Sequence, residues 1–354
     1  MSSEPAQPGD RPSITERLMF AVPAALFYGT ILYFLIWMPS GESLPFLSGL
    51  VLFPMAITGT ATILADPRGE GSLWRHIKIG WICITLFIVL SMVLMREAGI
   101  CVVMAAPFFY VGSALGSLIS RLLLRKLRSR SIASCLVILP LVGLPAEPLV
   151  PAPEHEGQVQ TVIDIDAPPE IVWKNTVEIP DVSSRELQWT FSHNVVGVPK
   201  PVDARLEGQG IGAIRHLRWT RGVTFEEIVT GWQSDRYLSW NFRFGPHSIP
   251  EAVEGHIKVD SSYLKLAGGD YRLDPLPNGG TRLTLTTRYV IATPINSYCD
   301  WWGRIFLNDF HGTVLNVIRH RAEAEAKGSG AAVSALNLIH DPVADSPTGQ
   351  PIAM

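Results

Sequence analysis

The sequence predicts an α+β chain in two parts, an all-α membrane region of about five helices followed by an antiparallel sheet with a long C-terminal helix. Three patterns predict it. Before residue 150, apolar residues come in uncharged blocks of roughly membrane-spanning length. From Val159 the pattern changes to alternation, with Val159, Thr161, Ile163 and Ile165 on one face of a strand. From Trp302 to Ile318, apolar residues return at spacings of three and four, the signature of an amphipathic helix.

The composition sets the outer bounds. A chain of 354 residues with 47% hydrophobic content and a mean hydropathy of +0.22 is too oily for an ordinary soluble protein. A net charge of -3 lacks the basic surplus of a phosphate-binding face, so nucleic acid is not an expected partner. Cys83, Cys101, Cys135 and Cys299 lie far apart with no CxxC spacing, which argues against a disulfide framework or zinc site. No metal and no cofactor is expected.

Residues 1–17 form a polar, proline-containing tail, expected to be disordered. A transmembrane region over 18–144 follows, with spans at about 18–38, 44–64, 77–95 and 100–119, and a fifth at 131–149 if the last segment is extended. Pro54 interrupts the second span, and Trp74 and Trp81 mark the interface at the third. Gly112 and Gly116 give the fourth a GxxxG spacing suited to close helix packing.

The stretch RLLLRKLRSR at 121–130 carries five basic side chains and by the positive-inside rule is cytoplasmic. If the fifth segment spans, the domain beyond it faces outward, into the periplasm of a diderm bacterium. If that segment, short and broken by Pro140, is re-entrant, the domain is cytoplasmic. The outward arrangement is favoured, in a plasma (inner) membrane if the source is bacterial. No span has a central ionisable side chain, which weighs against a pump or transporter and for an anchor.

A Pro-rich linker at 145–157 leads to a globular domain at 158–327. After the first strand, Asp166 stands as a helix cap with Pro168 and Pro169 at the first helical positions, and the helix runs to about Val177. Residues 182–206, with Trp189 and Phe191, read as short or irregular pieces. Strands are expected at 213–219, 223–229, 238–244, 255–263, 270–274 and 282–291, with turns at Thr220-Arg221-Gly222 and Pro277-Asn278-Gly279-Gly280. Thr293, or Ser297 in a capping box with Asp300, opens a helix to about Lys327, and 328–354 is expected to be disordered.

Three stretches, IDAPPEIVW at 165–173, FEEIVTGWQSDRYLSW at 225–240 and GGTRLTLTTRY at 279–289, lead in order to a helix ending IRHRAEAEA. Together they resemble the START-like helix-grip (SRPBCC) superfamily, in its polyketide cyclase/dehydrase and lipid-transport branch. The resemblance covers about 158–327. It implies a curved sheet gripping the last helix around a cavity for a lipid or other apolar molecule, and it carries no activity of its own.

Pairing Trp219 with Val223 across their loop places Arg215, Leu217, Trp219, Val223, Phe225, Glu227 and Val229 on one face. His216, Arg218, Thr224, Glu226 and Thr230 fall on the other, wetter face. Arg215 then sits opposite Glu227, either as a polar cavity floor or as a pair at the solvent end of the sheet. Trp240, Phe242, Tyr289, Trp302 and Phe306 are aromatic residues that line a cavity or simply fill the core. The ligand-contacting set is therefore Arg215, Trp219, Phe225, Glu227, Trp240, Phe242, Tyr289, Trp302 and Phe306.

No catalytic residue is assigned, because no GxSxG, HExxH or P-loop occurs. Glu227 or Asp309 would suit acid-base chemistry if buried. His193, His216, His247 and His256 read as surface or strand histidines, and Gly208-Gln209-Gly210-Ile211-Gly212 as a turn. The leading expectation is a membrane-anchored domain that binds a lipid or other hydrophobic small molecule for handling, sensing or transfer. The alternatives are a cyclase, dehydratase or hydrolase on a hydrophobic substrate, and an interaction module for a membrane-protein partner or a second copy of the chain.

Overall fold

The computed structural model describes residues 13–37, 45–95, 97–126, 130–150, 152–251, 253–254 and 258–339. Its first part is a bundle of α1 (Ile14–Trp37), α2 (Phe53–Ala65), α3 (Leu73–Leu90), α4 (Gly99–Lys126) and α5 (Arg130–Gly143). A π-helical stretch, Phe46–Leu52, feeds α2 and changes to α-helix where Pro54 occupies its first turn. Four segments are long and apolar enough to cross a membrane: Ile14–Trp37, Phe46–Ala65, Leu73–Met95 and Gly99–Lys126. Compared with the expected spans, the first and third begin several residues earlier and the fourth runs on through Lys126, because charged side chains at helix ends extend into water without breaking the helix.

The segment ending in α5 is shorter and runs along α2 from its middle to the stretch that feeds it. Leu136 lies beside Gly59 near the middle of α2, and Gly143 lies beside Leu52 and Ser48 at its start. A 3-10 turn, Leu144–Leu149, then brings the Glu147 carboxylate onto the backbone N–H groups of Leu47 and Ser48, at 3.1 and 2.5 Å. The small-residue spacing on α4 is used for packing: a Cβ at Gly116 would stand 2.5 Å from the Met55 carbonyl oxygen of α2.

The two ends of the bundle differ in chemistry. At one end Asp66 accepts from Gly71 N at 2.6 Å and pairs with Arg75 at 3.5 Å, and the Arg121 Nε donates to the Gly71 carbonyl at 2.8 Å. Glu97 and Glu147 sit at the other end, and the sheet domain packs there.

That domain holds β1 (Glu154–Ile165), α6 (Pro169–Val177), β2 (Pro201–Glu207), β3 (Ile214–Trp219), β4 (Thr224–Gln233), β5 (Tyr237–Arg243), β6 (Leu264–Pro275), β7 (Thr281–Ala292) and α7 (Asn296–Ile339). The strands form one antiparallel sheet in the order β1-β7-β6-β5-β4-β3-β2. The concave side wraps α7, whose Leu315, Val317, Ile318 and Ala322 meet Leu283, Leu285, Tyr271 and Leu238 of the sheet in one core.

Several expectations need correction. β1 starts at Glu154 and not Val159, since it pairs with β7 along its whole length, so only residues 150–153 remain of the linker expected at 145–157. β2 occupies part of 182–206, where no strand was expected. Residues 258–263 form turns and one isolated bridge, Asp260 to Lys265, in place of a strand; 255–257 lie outside the described residues. Pro168, with extended backbone, is the N-cap of α6, two residues beyond Asp166. The Ser297–Asp300 capping box is absent: Thr293 bonds to Asn296, and Asp300 accepts from Tyr289 at 2.7 Å and from Arg304 at 2.7 Å. α7 continues past Lys327 to Ile339, as no proline interrupts it before Pro342. The expected tail at 1–17 turns helical from Ile14, and 1–12 and 340–354 lie outside the described residues.

Candidate ligand cavity

Between the concave sheet and α7 lies a cavity of about 290 Å³, near the lower end of the range usual for small-molecule sites. The β3–β4 hairpin forms one wall. Its loop turns through Arg221 and Gly222, at φ 62° and 81°, a left-handed pair that sets the strand register. That register places Arg215 opposite Glu227 and Leu217 opposite Phe225. Leu217, Trp219, Phe225, Phe242 and Phe244 form the upper wall, with Phe225 stacked on Phe244 at 5.4 Å. α7 supplies the opposite wall through Leu307, Phe310, His311, Val314 and Val317.

The floor is polar and fully shielded. Arg215 is 1% exposed and Glu227 4%, and the guanidinium Nη1 donates to Glu227 Oε2. Arg215 also closes the C-terminus of α6: its Nε donates to the Val177 carbonyl at 3.0 Å and its Nη2 to the Thr176 carbonyl at 3.1 Å. Those carbonyls carry the negative end of the helix dipole and have no partner within the helix, so a cation is the fitting donor. The guanidinium lies over the rings of Trp240 and Tyr271, at 5.5 and 5.8 Å.

Burial drives the titration behaviour of this floor. It raises the Glu227 carboxyl to about 7, with the Arg215 charge and hydrogen bond pulling the other way. Burial pushes the Tyr271 hydroxyl up to about 12. The Trp240 indole N–H is buried and has no acceptor among the described residues, which leaves a strong donor unmatched in an apolar wall.

A second polar group crosses the cavity from α7. His311 lies between Thr161 of β1, 3.0 Å from Nδ1, and Thr287 of β7, 2.8 Å from Nε2. Burial lowers its pKa to about 4, so the ring is neutral and the two hydroxyls satisfy both nitrogens.

Six of the nine residues expected to contact a ligand therefore share this cavity: Arg215, Trp219, Phe225, Glu227, Trp240 and Phe242. Tyr289, Trp302 and Phe306 do not line it. Tyr289 packs with Val159 and Ile291 behind the β1–β7 edge, and Trp302 and Phe306 pack with Val196 against Ile100, Val103 and Met104 of α4. Asp309 is also elsewhere, accepting from the Ser192 N–H at 2.8 Å and its hydroxyl at 2.6 Å. His193, expected as a surface or strand histidine, is instead buried in the helical turn Ser192–Val196 with its ring stacked on Phe310 at 5.4 Å. His216 bonds Glu207 on the outer face at 2.8 Å, His247 is exposed, and His256 lies outside the described residues.

Sequence reasoning missed His311, Leu217 as a lining residue, and Tyr271. The usable signal was the i, i+3, i+4, i+7 spacing of Leu307, Phe310, His311 and Val314, which widens the apolar face read from Trp302 to Ile318 by Leu307 and His311. No cluster of His, Cys, Asp and Glu suited to a metal occurs among the described residues.

No family model matches the chain, and no curated protein does. Among solved structures, it is similar to an aromatase/cyclase from a Streptomyces species, at 13% identity over 51% of this chain and 98% of that one, with a TM-score of 0.32. It is similar to a protein of unknown function from Staphylococcus aureus at 11% identity over 49% and 98%, TM-score 0.33. Ara h 8.0201 matches at 10% identity over 46% and 99%, TM-score 0.28. These likenesses cover about half the chain, and at such scores they carry no argument about what the cavity does.

Proposed function

We propose that the protein is membrane-anchored and holds one small amphiphilic molecule in a helix-grip cavity at the bilayer surface, for handling, sensing or transfer. The observation that supports it is the pairing of apolar walls with a single unmatched donor, the Trp240 N–H, beside an internally neutralised Arg215–Glu227 floor. The ligand that fits has an apolar body and one neutral hydrogen-bond acceptor such as a hydroxyl or carbonyl oxygen. Above about pH 7, where Glu227 is ionised and neutralises the Arg215 charge, a carboxylate or phosphate is disfavoured.

The anchoring reading rests on the four spanning-length helices. With the basic stretch 121–130 on the cytoplasmic side, the sheet domain at the opposite end of the bundle faces outward. The globular unit then runs from β1 through about Lys327.

Native mass spectrometry of the full chain released from mild detergent tests the binding reading. An adduct of discrete mass is expected, lost in Leu217→Trp, which fills the cavity. A chain that is reproducibly bare removes the reading.

One observation favours a catalytic second reading. A carboxyl poised near 7 inside an apolar cavity is suited to exchange protons with a bound substrate. Turnover of a hydrophobic substrate, lost in Glu227→Gln with binding retained, would establish it.

A further inference from the structure

The mouth of the cavity is built partly from the membrane bundle. Ala98, Gly99 and Ile100, at the start of α4, line it opposite Val196, Gly197 and Val198 of the sheet domain. The approach is close, since a Cβ on Gly99 would stand 2.1 Å from the Val196 carbonyl oxygen.

The next residues of α4 line something else. Cys101, Val102, Met104 and Ala105 border a second apolar cavity of about 130 Å³ inside the bundle, between α1, α2, α3 and the first turn of α7. Successive residues on a helix point about 100° apart, so Ile100 and Cys101 face adjoining spaces across one turn of α4.

This junction lies at the depth of the bilayer surface. α4 is 28 residues long, about 42 Å, against a hydrocarbon core of about 30 Å. Its excess at the far end is the basic turn containing Arg121, Arg125 and Lys126, which places Ile100 near the opposite boundary of the core. The first turn of α7 descends alongside it: the Tyr298 hydroxyl donates to the Met104 carbonyl at 2.8 Å, and Trp301 stays 53% exposed, as interfacial tryptophans do. Two half-buried carboxylates lie at this junction, Glu97 accepting from the Tyr33 hydroxyl and Glu254 from the Cys101 thiol at 3.2 Å.

From this arrangement we infer that the start of α4, at Ala98–Gly99–Ile100, is the portal through which a neutral single-chain amphiphile passes sideways between the outer leaflet and the cavity. The inference rests on the binding reading above. The neutral head group follows from the Trp240 donor and the paired Arg215–Glu227 floor.

The test uses the full chain in phosphatidylcholine vesicles with a diazirine-bearing long-chain alcohol. The alcohol is supplied either in the bilayer or from the aqueous side as a cyclodextrin complex, and the photolabelled peptides are mapped. The expected result is labelling of the β3–β4 hairpin from the bilayer, reduced tenfold or more by Ile100→Trp, while cyclodextrin delivery still labels the cavity of that variant. Ile100→Ala is expected to load from the bilayer at least as fast as wild type.

Equal bilayer loading in wild type and Ile100→Trp would overturn the portal. So would equal loss in Ile100→Ala and Ile100→Trp, which would make the helix start a structural strut. Wild-type labelling from cyclodextrin but not from the bilayer also overturns the portal while leaving the binding reading standing. Failure of both routes in wild type overturns the binding reading and the portal with it.

Discussion

Arg215 and Glu227 face each other directly across the β3–β4 hairpin and form an ion pair with both side chains buried, while the same guanidinium closes the end of α6. One side chain thus joins sheet, helix and cavity floor. Removing it strands a carboxyl and two helix carbonyls together. Arg215→Met is expected to lower stability by about 3–5 kcal/mol at pH 8, the usual cost of breaking a buried pair from one side. The double variant Arg215→Met/Glu227→Leu should recover part of that loss but not all, because the Thr176 and Val177 carbonyls still lack their donor. Denaturant midpoints of the full chain in one fixed detergent would check both.

The pH dependence carries a definite sign. Burial holds the Glu227 carboxyl at about 7 against an ordinary 4.5, so the folded state binds this proton more tightly than the unfolded state. Its contribution is fully present below about 4.5 and is lost as pH rises through about 7. His311 runs the other way: held at about 4 against 6.5, it contributes above 6.5 and loses that contribution as pH falls through 4. Melting temperatures across this interval should show wild type falling relative to Glu227→Gln as pH rises, and falling relative to His311→Gln as pH drops.

Trp240→Phe separates binding from stability. The indole N–H has no partner among the described residues, so the melting temperature should fall only by the lost packing of the larger ring, with no hydrogen-bond loss added. Retention of an acceptor-bearing ligand should fall by about fivefold to tenfold, the worth of one hydrogen bond of about 1 kcal/mol. Equal retention in both proteins would show that the donor does not meet the ligand.

Orientation is accessible by fusion to the C-terminus of the full chain. An alkaline phosphatase reporter is expected to be active and a fluorescent-protein reporter dark. The reverse would place the domain on the side of the basic loops.

The hairpin was legible from sequence because its register depends on local features, a three-residue loop with Gly222 and an apolar face that alternates cleanly from Arg215 to Val229. Arg215 and Glu227 could be paired for that reason, although their depth could not be read. Tyr289, Trp302 and Phe306 failed for the complementary reason. Periodicity gives the apolar face of a strand or helix but not which body covers it, and at Trp302 and Phe306 the cover is α4, nearly two hundred residues earlier in the chain. β2 escaped notice although Val202, Ala204 and Leu206 alternate with Asp203, Arg205 and Glu207, because an opening proline and three charges over so short a run read as loop; Asp203 is nonetheless buried, paired with Arg218 across the strands.

The junction between the halves has a mechanical consequence. The 3-10 turn ends at Leu149 and β1 begins at Glu154, while the first turn of α7 is fastened to Met104 and Phe108 of α4. A domain held at both its entry strand and its closing helix is a fixture and not an arm on a leash. On the binding reading proposed above, such a fixture would serve the patch of bilayer around its own bundle, and onward delivery would require the acceptor to come to it.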